Sequence, residues 1–476
     1  MAVRPAQLAA WTVVSGFLVG CSSPFDAPRD RETLRVQPMQ QNSPQPIASR
    51  YRDEERADEP LDAPELNDGA SPDDYVRYAL SHSPAVEAAF QRWVASTERL
   101  PQVGSLPDPR LNVGFFLDEV ETRTGPQHAR IGLSQAFPWP GLLDEREDAA
   151  ALAARAAWLR FEAERLAVTE EVVRTLHELA YLDAVVVITQ DNLELLQSFE
   201  EVVRTRYRVG LGSHPELTRV QVELGQLEDR LTQLRTMRPA YVAELNAVLN
   251  RPTETVVPAL SKLPGRVVTM QGPELAEVAR TTNPALLALD EQIKEQRVRG
   301  NVARLSGNPE LSVGLDYIVT GEAMNSSIPE SGDDPILLSF GMTLPISREK
   351  YDAGVRESIA RRLEYSHTRA AEANRITSAI QRAWFDHTDA DRRVRLYEQT
   401  LIPKAEESLR ASLAGFRAGD TNFLDLLDTE RTLLEFAIAT ERARADRGQA
   451  LAKLNRLVGQ AITTESTDQL PEGDTP

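Results

Sequence analysis

The sequence predicts a mainly α-helical protein with a small β part. Two copies of one unit are expected, each pairing a long coiled-coil hairpin of helices with a β-hairpin that joins a transmembrane barrel shared between several copies of the chain. Three observations carry this expectation. The chain of 476 residues matches itself when shifted by about 200 positions. Residues 142–209 hold neither glycine nor proline, and apolar residues recur there every seven positions. Four segments between residues 110 and 345 alternate between apolar and polar side chains.

At the amino end, Arg4 supplies a short positive region, residues 8–19 form an apolar run too short to span a membrane as a stable helix, and Gly20 is the small residue expected before a cleavage site. Residues 1–20 therefore read as a secretory signal. The run Leu18, Val19, Gly20, Cys21 resembles a bacterial lipoprotein signal, which implies cleavage before Cys21 and lipidation of that residue. Ser22 after the cysteine resembles the outer-membrane sorting pattern. Cys21 is the only cysteine, so neither an internal disulfide nor a multi-cysteine metal or iron–sulfur site is possible within one chain.

Residues 21–72 are rich in proline, glutamine, serine and charge without apolar periodicity, and read as a disordered tether. Acids outnumber bases by 72 to 53, for a net charge of −19, which disfavours nucleic acid as a partner because the phosphate backbone is repelled. Much of this charge is local. Residues 53–74 carry ten acids and one base, and residues 465–476 carry four acids and no base, which leaves −6 for the rest. Residues 460–476 read as an acidic tail.

Between tether and tail lie a first repeat over 73–250, a linker over 251–272 and a second repeat over 273–459. An offset of 200 places Ala79 on Ala279, Pro84 on Pro284, Leu111 on Leu311 and Gly114 on Gly314. Farther along, an offset of 209 places Tyr207 on Phe416, Gly210 on Gly419, Leu245 on Leu454 and Asn246 on Asn455, so nine residues are added in between.

Each repeat reads helix, strand, turn, strand, very long helix, tight turn, helix. In the first, Leu152, Leu159, Leu166, Val173, Ala180 and Val187 form the expected seam. At 1.5 Å per residue this helix is roughly 100 Å long and must bury its stripe against other long helices. Gly210 and Gly212 break it, as Gly419 breaks its counterpart, whose descending part Pro403 is expected to kink. The strands place Leu111, Val113, Phe115 and Leu117 on one face, with Leu311, Val313, Leu315 and Tyr317, then Ile336, Leu338, Phe340 and Met342, alike. Polar loops are expected over 119–127 and 321–334. Strands of about ten residues match the length that crosses a bilayer. Four strands cannot close a barrel, and open edges are not tolerated in lipid, so several copies must contribute.

The segment Gly415, Phe416, Arg417, Ala418, Gly419, followed by Asn422, Phe423, Leu424, Asp425, Leu426, Leu427 and Asp428, resembles the periplasmic-tip motif of the outer-membrane efflux protein (TolC) family. Tyr207, Gly210, Ser213 and Leu217 are its first-repeat counterpart. The resemblance implies a homotrimer that closes a barrel of about twelve strands in outer membrane lipids. It further implies a periplasmic helical tunnel docked to a periplasmic adaptor protein and an inner-membrane pump, with the chain as the passive exit channel. The runs Leu106, Pro107, Asp108, Pro109 and Phe137, Pro138, Trp139, Pro140, Gly141 resemble the heavy-metal-efflux branch most.

No catalytic constellation, cofactor motif or metal site is expected. The chain has no phosphate loop ending in lysine and no nucleophile elbow, and His177 with Glu178 lacks the second histidine of a zincin helix. His387 among Asp386, Asp389 and Asp391 reads as part of a solvated face. Asp425 and Asp428 share one helix face just past Gly419. By resemblance they are a periplasmic gate that constricts the tunnel and attracts cations; as plain chemistry they are acids favoured by a helix start. Trp93 and Trp139 flank the strands, either as interfacial aromatics or as packing groups. The rival functional reading is a periplasmic adaptor lipoprotein, which has one helical hairpin where this chain has two.

Overall fold

The computed structural model describes Leu66 and residues 69–260, 263–324 and 329–466. The signal, Cys21, nearly all of the tether and the end of the tail lie outside these residues. In chain order the elements are α1 (Pro72–His82), α2 (Pro84–Thr97), α3 (Arg99–Gly104), β1 (Arg110–Thr122), β2 (Gly125–Phe137), α4 (Leu142–Arg208) and α5 (His214–Val248). There follow β3 (Arg266–Val268), α6 (Gly272–Thr282), α7 (Pro284–Leu305), β4 (Leu311–Thr320), β5 (Ile336–Met342) and α8 (Arg348–Leu396). A π turn (Tyr397–Leu401), α9 (Ile402–Ala418), α10 (Phe423–Val458) and β6 (Thr464–Ser466) complete the described chain. Among the described residues, Pro101–Ala151 and Val298–Val355 form one compact unit and the remainder a second.

The first unit is built on a four-stranded antiparallel sheet in the order β1-β2-β4-β5, so the two repeats join directly through β2 and β4. The alternation seen in the sequence becomes two complete rows across it. Leu111 faces Leu133, which faces Leu315, which faces Leu338; Val113, Ile131, Tyr317 and Ile336 form the next row. All eight side chains are exposed. On the opposite face, Arg130 grips both carboxylate oxygens of Asp316 at 3.0 and 2.8 Å and so ties β2 to β4. Glycines take up crowding there. A Cβ at Gly314 stands 2.6 Å from Ser339 Oγ, one at Gly341 stands 2.5 Å from Ser312 Oγ, and one at Gly132 collides with the Asp316 carboxylate.

The expected loop over 119–127 is almost entirely strand. After a register shift between Phe115 and Val120, the pairs Val120 with Gln127, Glu121 with Pro126 and Thr122 with Gly125 extend the hairpin to a two-residue turn at Arg123 and Thr124. A bulge of this kind breaks strict alternation, which is why the pattern stops short. The connection between β4 and β5 is long, as expected, and Gly332 N–H donates to Thr124 O at 2.8 Å.

In the second unit, α4 runs for 67 residues without interruption. Its seam starts as expected, with Leu152 buried, and then runs in a different phase: Val172, Leu176, Leu179, Leu182, Leu193, Leu196 and Val203 are among the buried residues, whereas Val187 is 58% exposed. Leu166, Val173, Ala180 and Val187 line a groove of about 1010 Å³. A recurrence of seven sets the pitch of a stripe but not the face that packs. The spacing of four then three in Val172, Leu176 and Leu179 puts two large residues into each heptad, and this broader stripe wins the contact.

The descending helix of the second repeat is divided. Ile402 N–H reaches back five residues to Tyr397 O in the π turn, just before Pro403. Proline has no N–H and its ring crowds the carbonyl four residues earlier, and a widened turn accommodates both. Pro239, by contrast, sits inside α5 without ending it. The two asparagines that the repeat arithmetic pairs occupy similar places: Asn246 Nδ2 donates to the carbonyls of Thr253 and Thr255, and Asn455 accepts from Ile462 N–H at 2.9 Å, so each bonds the chain that leaves its hairpin.

His387 is 2% exposed, which corrects the reading of a solvated face. Asp391, one turn on, is buried as well and bonds Arg447 at 2.9 Å. Burial holds the His387 imidazole down at about 4, so it is neutral at physiological pH. Trp93 packs edge-on against Trp158 at 4.8 Å within the second unit, which supports its packing alternative; Trp139 is exposed.

Candidate functional site

Where the two helical hairpins turn, their ends pack on one apolar cluster that draws Leu196, Phe199 and Val203 from α4, Val220 and Leu227 from α5, Phe416 from α9, and Phe423, Leu426 and Leu427 from α10. The turns follow one plan. Gly210 at φ 77° ends α4, and Gly419 at φ 90° ends α9, a left-handed conformation that side chains with a Cβ rarely adopt. Each following helix is capped. Ser213 N–H donates to Glu216 at 3.0 Å, and Asn422 Oδ1 accepts from Asp425 N–H at 3.0 Å.

The matched aromatic positions diverge. Phe416 is 3% exposed, lies 5.7 Å from Phe423 and has the Arg206 guanidinium 4.7 Å from its ring centre. The same arginine donates to Phe416 O at 2.6 Å and so satisfies a carbonyl at the end of α9. Tyr207 is 43% exposed, with His214 5.8 Å away across the turn.

Asp425 and Asp428 are both exposed on α10, in its first and second turns. Among the described residues neither carboxylate belongs to an ion pair within 4 Å. Arg431, one turn beyond Asp428, is instead held by Glu223 of α5, with Nε on Oε1 at 3.0 Å and a second bond to Oε2. A groove of about 740 Å³ beside these residues is lined by His214, Arg219, Val222, Leu424 and Leu427. Two polar groups of this region were not singled out from sequence: Glu223 and Glu430, both buried. The signal for Glu430 was available, because Leu426, Glu430 and Leu434 stand four apart on one face and a carboxyl interrupts that apolar row. Cys21 lies outside the described residues, and among the described residues no cluster of three or more metal-ligating side chains is found.

Residues 275–460 match the family model described as outer membrane efflux protein. The outer membrane protein TolC of Vibrio cholerae is 24% identical over 402 residues, 80% of this chain and 87% of that protein. The cobalt-zinc-cadmium resistance protein CzcC of Cupriavidus metallidurans is 21% identical over 380 residues, 78% of this chain and 86% of that protein. In three dimensions the chain superposes on the outer membrane protein VceC of Vibrio cholerae with a TM-score of 0.66 at 16% identity, covering 82% of this chain and 97% of that one. That likeness establishes the fold.

Proposed function

We propose that the chain, whose residues 275–460 match the outer membrane efflux protein model, is the outer-membrane exit duct of a tripartite efflux system, conducting substrates passively while a partner pump supplies the energy. The observation that carries the reading is the sheet. Its rows of leucine, isoleucine, valine and tyrosine are exposed on one side, and the far edges of β1 and β5 are unpaired among the described residues. An exposed apolar face of this kind is unfavourable in water, and unpaired edges are unfavourable in lipid. Both conditions are met when three copies close one barrel in the membrane. No helix among the described residues is long and apolar enough to cross a membrane.

In this reading Cys21 adds a lipid anchor to the barrel, residues 1–20 are removed, 21–72 tether the anchor to the first repeat, and the repeats occupy 73–250 and 273–459. A periplasmic adaptor and an inner-membrane pump are its partners, and Asp425 and Asp428 form a ring of acids at the narrow end. The likeness to CzcC and the runs around Pro107 and Pro138 favour a heavy-metal substrate. No catalytic step is assigned.

The test is size measurement of the detergent-extracted protein together with single-channel recording in planar bilayers. A trimer with discrete conductance is expected; a soluble monomer without conductance sinks the duct. Cys21→Ser behind a cleavable signal is expected to leave outer-membrane trimers intact, because one lipid chain binds membranes only marginally compared with a closed barrel. An impermeant thiol reagent on intact cells should label a cysteine placed at Asp333 and spare one at Thr421.

A further inference from the structure

Glu430 stands two residues beyond Asp428 on α10, yet it is 1% exposed, in line with Leu426 and Leu434 on the face that packs against α4 and α5. Asn192 of α4 is the polar side chain that acts on it. Glu430 Oε1 and Asn192 Oδ1 are both buried with no hydrogen-bond partner among the described residues. A buried carboxylate oxygen without a donor is costly, and a proton on the carboxyl removes its charge. The charged groups that act on it are few: α5 contributes Glu223, which is already bound to Arg431, and α10 contributes Arg431 itself.

We infer that Glu430 is a proton-binding site that regulates the tip: protonated, it lets the two hairpins pack, and ionised, it places a charge between them and loosens that packing. Three elements meet at this carboxyl, so its charge state bears on how α4, α5 and α10 hold together. Desolvation is the largest influence and Glu223 adds to it; Asn192 and Arg431 offset only part, and the carboxyl is pushed up from 4.5 to about 7. The sign follows from linkage. A carboxyl with a raised folded pKa favours the packed state fully below its unpacked value of 4.5 and progressively loses that advantage as pH rises to about 7. Over that window the packed-to-loosened ratio falls by up to about tenfold per pH unit. The consequence for conduction rests on the duct reading; the proton site does not.

The experiment compares thermal unfolding of the detergent-solubilised full chain, wild type against Glu430→Gln, across this pH range. Glutamine keeps the shape and cannot ionise. The variant's Tm should rise progressively above that of wild type as pH increases from about 4.5 to about 7. A Tm difference that does not vary with pH overturns the site. Glu223→Gln should move the midpoint of the pH response downward, since it removes a neighbouring carboxylate and frees Arg431 to act on Glu430; a purely structural role leaves that midpoint in place. In single-channel recordings, wild-type open fraction should rise through the same window and Glu430→Gln should be flat. A wild-type pH profile that persists in Glu430→Gln overturns the regulatory role. Absence of any conductance alongside the expected Tm response rejects the duct reading and leaves the proton site standing.

Discussion

The two tips have the same turn and opposite surroundings. Both end a long helix on a left-handed glycine and restart on a capped helix, but the second repeat drives Phe416 and Phe423 into the shared cluster while the first leaves Val209, Leu211 and Tyr207 exposed. The descending helices differ in the same sense: α4 is continuous, whereas the second repeat inserts a π turn before Pro403. The two tips therefore share a backbone plan without sharing a side-chain environment. One tip anchors the bundle; the other presents apolar side chains to whatever lies outside it.

The largest expected effect tests that division. Phe416→Ala should destabilise the solubilised protein by about 3 to 5 kcal/mol, since it opens a cavity and removes the ring under Arg206. Tyr207→Ala, at the matching position, should stay within about 1 kcal/mol. Comparable losses in denaturant titrations erase the asymmetry. Intermediate in size, Gly419→Ala and Gly210→Ala should each cost about 1 to 2 kcal/mol and agree with one another, because both glycines have positive φ and open space where a methyl group would stand. Disagreement between the two means the turns are not equivalent after all.

The smallest stability effect belongs to the acids. Asp425→Asn should cost about 0.3 to 1 kcal/mol through the helix dipole, with less for Asp428→Asn, which lies past the first turn. If the pair lines a threefold constriction, the double variant should nevertheless reduce cation selectivity and relieve block by multivalent cations in single-channel records. Unchanged selectivity removes the gate while leaving the comparison of the tips intact.

Much of this architecture was legible because long-range arithmetic is robust. A repeat offset, a glycine-free run and period-two alternation each average over many residues. What escaped depends on a single neighbour. The heptad count through Leu166, Val173 and Ala180 found a real stripe but not the face that packs, since pitch and phase are separate quantities. The irregularity in β1 hid the extension of the hairpin, because the three extra residues between Phe115 and Val120 shift the alternation beyond it. His387 and Asp391 looked like solvent-facing polar groups until Arg447 arrived from another helix. At the tip, Phe416 and Gly419 were readable from their motif, whereas the sequence marked Glu430 only as a carboxyl interrupting the row of Leu426 and Leu434, and the helices that cover that face came from the fold.

The glycines on the polar face of the sheet have a consequence for descent. Gly132 lies against Asp316, Gly314 against Ser339 and Gly341 against Ser312, each leaving no room for a methyl group unless its partner moves. Neither member of such a couple is free to vary alone. A relative carrying alanine at the place of Gly132 should have surrendered the carboxylate opposite and, with it, the clasp on Arg130; one carrying a bulkier group in place of Ser339 should still keep its glycine. Two of the couples lie between β4 and β5, inside the second hairpin, but Gly132 and Asp316 stand on β2 and β4. Those two should vary together across the seam between the two halves of the sheet.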